Sequence, residues 1–125
     1  MNEKIDSYRD LRVWQIGMKL AKQSYLLTRA FPKEEIFGLT SQIRRSAASI
    51  PANIAEGYGR DNTGDYIHFL RIAHGSLKEL ETHLILANEI EILSHDQCQP
   101  ILERTDCLGR MIYSLIRKVQ AKRHT

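Results

Sequence analysis

Cysteine, proline and tryptophan are scarce in this chain, at two, three and one among 125 residues. Cys98 and Cys107 form no CxxC pattern, which argues against a zinc ribbon or a thioredoxin-like site, and both are expected as reduced thiols. No apolar run approaches the ~20 residues that cross a bilayer, and the opening MNEKIDSYRD lacks the apolar core of a secretion signal. A cytoplasmic protein without membrane association is expected. No nucleophile elbow and no phosphate-cradling glycine loop is present. No Glu is followed by His three positions later, so the Glu-x-x-His pairs of a di-iron bundle are missing. Glu79 and His83, four apart, come nearest to a metal pair and read instead as polar helix-surface residues. The expectation is no catalytic residue, no metal site, no cofactor and no enzyme.

What is present is ordinary for one folded domain: 42% hydrophobic and 26% charged residues, in a length too short for two proper cores. A single domain over 1–125 is expected. The apolar positions follow helical spacing almost throughout. Between Asp10 and Phe31 two adjacent stripes appear, one through Trp14, Met18, Ala21, Tyr25 and Thr28, the other through Val13, Gly17, Leu20, Ser24 and Leu27. Leu39, Ile43, Ala47, Ile50 and Ile54 mark a second helix over about Leu39 to Glu56. Pro51 lies inside it, removing one backbone hydrogen bond and predicting a kinked helix rather than two. Tyr66, Leu70, Ala73, Leu77, Leu80, Leu84 and Ala87 form the most regular seam, in a third helix capped by Thr63 after a turn at Gly57 and Gly59. The fourth carries Ile101, Thr105, Leu108, Ile112, Leu115 and Val119, starting at a Ser94–Gln97 capping box or at Pro100. Short connections then predict an all-α, antiparallel up-down-up-down four-helix bundle.

Two polar patterns stand apart from the core. Helix two carries Gln42, Arg45, Ser49, Asn53, Glu56 and Arg60 at helical spacing beside small residues, and helix three answers with Phe69, Ile72, Ser76, Glu79, His83 and Leu86. An Arg–Glu pair linking helices or subunits is predicted there. With Ile67 and Ile90, the apolar part of that third-helix stripe exceeds what one bundle buries, which predicts a homo-oligomer. The charge is also uneven. Residues 63–94 hold two bases against five acids and residues 95–125 six bases against three acids. Helix one has Arg12, Lys19, Lys22 and Arg29 with no acid between them, and nothing acidic follows Asp106 to oppose Arg110, Arg117, Lys118, Lys122 and Arg123. Merged on neighbouring helices, these bases make a patch able to displace counterions from RNA or DNA. A basic face that merely keeps the protein soluble is the plainer alternative. Few aromatics interleave with the bases, so weak sequence preference is expected.

The segments DLRVW, AFPKEEIFGLTSQIRRSAASIPANIAEGYGR and HFLRIAHGSLKELETHL, in that order, resemble the four-helix bundle family named after the 23S rRNA intervening-sequence protein. The likeness covers nearly the whole chain. Carried over by position, the family's motif falls on Arg44, Arg45, Ser49, Pro51, Asn53, Glu56, Gly57, Arg60, Gly75, Ser76, Glu79 and Glu81, which read as architectural or subunit-interface residues. Glu91 departs from the pattern, standing near where many relatives have glycine. The resemblance implies a pentamer. The fold is also similar to the accessory protein of diversity-generating retroelements, which implies nucleic acid or a reverse transcriptase as partner. A protein-interaction scaffold is the competing expectation.

Overall fold

The computed structural model describes residues 4–123, the last by its backbone alone. Four helices make up the fold, α1 (Arg12–Thr28), α2 (Leu39–Tyr58), α3 (Thr63–Glu89) and α4 (His95–Arg123), with 3-10 turns at Tyr8–Asp10 and Lys33–Glu35 and no strand among the described residues. Each helix packs on the next and α4 returns to α1, while the diagonal pairs stay apart. This is the up-down-up-down bundle.

Local chemistry sets the helix ends. The Glu35 carboxylate accepts the Leu39 amide at 3.1 Å, capping α2 from the preceding turn. Asn62, not Thr63, caps α3, its Oδ1 accepting the Asp65 amide at 2.7 Å. Asn62, in extended conformation one position earlier, supplies the cap oxygen and leaves Thr63 as the first helical residue. At α4 the Ser94–Gln97 box closes in both directions, so the helix begins at His95 and Pro100 lies inside it. α2 runs as one helix through Pro51.

The predicted seams of α2, α3 and α4 are the core: Ile43, Ile50, Ile54, Leu70, Leu77, Leu80, Leu84, Leu108 and Ile112 are fully enclosed. Of the two α1 stripes, that through Val13, Gly17, Leu20 and Ser24 is buried and continues to Thr28, expected on the other stripe, while Leu27 is half-buried; Met18 and Tyr25 of the other stripe are 45% and 44% exposed. Ile67, expected on the spare face of α3, belongs to the core.

Two glycines let helices approach. A Cβ on Gly17 would lie 3.5 Å from the Pro51 ring, so α1 seats against the proline of α2. A Cβ on Gly57 would come within 2.7 Å of Phe69 Cβ. Gly57 therefore serves close α2–α3 packing inside the helix, and neither it nor Gly59 takes the left-handed conformation expected of them. That conformation falls to Glu91, at φ 67°.

Candidate nucleic-acid interface

Along the α1–α4 seam, the least closely packed side of the bundle, two successive clefts of about 490 Å³ and 250 Å³ open to the surface. The first is lined by Lys19, Lys22, Gln23, Leu26, Leu27 and Arg104, the second by Arg12, Met111, Leu115 and Lys118 among others. Neither lining contains a carboxylate among the described residues. Such linings suit long basic side chains, whose methylenes can cover apolar surface while their charges stay in water. The geometry thus gathers Arg12, Lys19, Lys22 and Lys118 from two helices far apart in sequence.

Arg104 was not among the anticipated bases, because in sequence it stands between Glu103 and Asp106. The helix turns both acids away, and its Nη1 donates to Gln23 Oε1 at 2.8 Å across the seam. A neutral amide partner positions the guanidinium without neutralising it. The rest of the expected patch is dispersed. Arg29 lines a separate cleft with Pro32 and Arg44 beside the α1–α2 connection. Arg110 pairs with Asp106 one turn earlier at 2.5 Å. Arg117 lies over the exposed Tyr113 ring at 4.9 Å, and Lys122 lines a pocket at the end of the bundle. The Arg123 side chain lies outside the described residues. Helical rotation explains the dispersal: one continuous patch would need the five expected α4 bases, Arg110 to Arg123, on one face, and 100° per residue spreads them.

The α2–α3 polar stripe is organised differently from the expectation. Within the chain its link between helices is a hydroxyl pair, Ser49 Oγ to Ser76 Oγ at 3.0 Å, backed by Asn53 Nδ2 donating to the Ser49 hydroxyl and carbonyl at 2.8 Å. The arginines make other contacts. Arg44 donates to Thr28 Oγ1 at 2.8 Å and stacks over Tyr25, fastening α2 to α1. Arg45 donates to Gln42, and Arg60 pairs with Glu56 at 3.0 Å while lying over Phe69. Glu79 is exposed and makes no such link. The acid that joins helices is Glu81, which pairs with Lys78 at 3.1 Å and accepts from Thr105 Oγ1 of α4 at 2.8 Å.

No group of three or more potential metal ligands occurs among the described residues. Burial, reinforced by the Lys78 charge, lowers the His74 pKa despite the opposing pull of Glu81, favouring a neutral imidazole. Burial pushes the Cys98 thiol up, and its Sγ faces the Leu84 carbonyl at 3.6 Å, so it packs as a small apolar group. Cys107 is exposed and unpaired. No described helix is long and apolar enough to cross a membrane.

Short caps, four amphipathic helices and a seam of bases over an apolar floor place the protein in the class of small antiparallel helical bundles. The chain belongs to the 23S rRNA-intervening sequence protein family, which it matches over residues 9–114. It is also similar to a crystal structure from Bacteroides thetaiotaomicron VPI-5482 of a protein with unknown function from the S23 ribosomal protein family. The TM-score is 0.75 at 26% identity, covering 83% of this chain and 97% of that one. Comparison with curated proteins finds no match.

Proposed function

We propose that this chain is a non-enzymatic, cytoplasmic homo-oligomer that holds RNA or DNA by the phosphate backbone along its α1–α4 seam. The observation that carries this reading is the seam itself: Arg12, Lys19, Lys22, Arg104 and Lys118 over an apolar floor, with no carboxylate among the described residues of either cleft. Backbone phosphates are the ligand such a row suits, because each neutralised phosphate releases condensed counterions. Contacts to phosphate carry no sequence information, so binding is tolerant of sequence.

Binding of the full chain to labelled structured RNA and duplex DNA across a salt series tests this. Five phosphate contacts give a log–log slope of about −4.5 on duplex, and the Lys19→Gln, Lys22→Gln variant lowers its magnitude by about 2. Absence of binding at low salt, or a slope that the double variant leaves unchanged, overturns it.

Self-assembly is supported by a second observation. Ile72 and Leu86 on α3, and Ile90 just past its end, are 38%, 43% and 51% exposed. On another side of the bundle Trp14, Met18, Ala48 and Ala52 line a shallow apolar cleft between α1 and α2. Two unlike apolar faces on one chain suit a head-to-tail contact that closes into a ring, and five is the copy number that the resemblance implies.

A further inference from the structure

At the end of the bundle where α1 and α3 begin and α2 and α4 finish, the core opens into a pocket of about 610 Å³. Leu11, Tyr58, Tyr66, Leu115, Lys118 and Val119 line it, with Ile5 and Lys122 at its margin. The volume suits a small molecule. Aliphatic side chains from α1 and α4 line one part of the wall, the two phenols from the end of α2 and the start of α3 another, and Lys118 adds an ammonium group, with no carboxylate among the described lining residues.

The phenols are ordered by each other, meeting edge to face at 5.9 Å and 88°. Burial, with a smaller contribution from Tyr58, pushes the Tyr66 phenol up to about 12, so it stays protonated and a donor at neutral pH. The Tyr66 hydroxyl has no hydrogen-bond partner among the described residues and is open to the pocket rather than sealed in the core. A phenol donor without a protein partner, in one pocket with the Lys118 ammonium and an apolar floor, suits an acceptor carried on an apolar body.

We propose that this pocket binds a small amphiphilic anion. Its hydrocarbon lies against Leu11, Leu115 and Val119, and its headgroup pairs with the Lys118 ammonium while accepting a hydrogen bond from the Tyr66 hydroxyl. A medium-chain carboxylate and an alkyl phosphate share this chemistry. The site adjoins the nucleic-acid seam, sharing Leu11, Leu115 and Lys118 at the boundary, and Tyr58, Tyr66 and Val119 belong to it alone.

Calorimetric titration of the full chain with hexanoate, octanoate, octyl phosphate and octylammonium, all below their micellar concentrations, tests the proposal. Amide chemical-shift mapping on the same samples locates the site. Expected are saturable binding of both octyl anions, about fourfold tighter binding per added methylene between hexanoate and octanoate, and shifts at Tyr58, Tyr66 and Val119. The tighter of the two octyl anions names the headgroup. Tyr66→Phe weakens binding about two- to tenfold, and Lys118→Gln weakens the anions alone. Val119→Trp, which fills the pocket, abolishes binding, with the circular-dichroism spectrum reporting that it folds. No saturable binding by either octyl anion, octylammonium binding as tightly as octanoate, or shifts confined to the α1–α4 seam each overturn it.

Discussion

Gly57, in the last turn of α2, and Gly75, in the middle of α3, are the same residue type on adjacent helices, and the structure gives them opposite consequences. Nothing lies within 4 Å of a Cβ on Gly75, whereas a Cβ on Gly57 meets the Cβ of Phe69 at 2.7 Å, an atom that moves only with its backbone. Gly75→Ala is expected to stabilise by about 0.5–1 kcal/mol, since alanine loses less backbone entropy in a helix. Gly57→Ala is expected to cost about 1–3 kcal/mol by forcing α2 from α3. Urea unfolding of both variants checks this, and destabilisation by Gly75→Ala would remove the distinction. The sequence reads Gly57 as a turn glycine and does not reveal its packing role, because that role lies in a side chain twelve residues away on another helix.

At the scale of the element, the end of α3 shows how a turn forms without its preferred residue. The Ile92 amide donates to the Ala87 carbonyl at 2.9 Å and the Glu91 amide to Asn88 at 3.1 Å, the paired bonds of a Schellman cap with Glu91 in the left-handed position. A side chain there costs about 1–2 kcal/mol. Glu91→Gly, which trades that strain against greater freedom of the unfolded chain, is expected to gain about 0.5–1 kcal/mol in chemical denaturation. Glu91→Ala, still bearing a Cβ, should gain nothing, and equal effects would refute the strain account. Periodicity ends α3 near Ala87 without revealing this cap, since glutamate carries no turn signal; only the family pattern drew attention to the position. The capping box at Ser94 was legible because both of its partners sit within one turn.

For the whole molecule, the two apolar faces give a test of assembly. Light scattering of the full chain is expected to give an oligomeric mass, and Ile72→Glu with Leu86→Glu is expected to give a monomer of unchanged helical content. The wild-type melting temperature should rise with protein concentration, as for any assembly that binds only folded subunits. A monomeric wild type, or an oligomer indifferent to the double change, removes α3 as the contact. Sequence alone determined the four helices, their order and the seams of α2, α3 and α4, because helical spacing and caps are written in residues three or four apart. Tertiary structure decided which α1 stripe faces the core, which bases share a surface and which acid joins helices. Arg104 reaches Gln23 across 81 residues, and Ser49 reaches Ser76 across 27. The rotation of each helix about its axis settles those meetings, and that rotation follows from fitting Gly17 to Pro51 and Gly57 to Phe69, contacts between distant positions that no local pattern records.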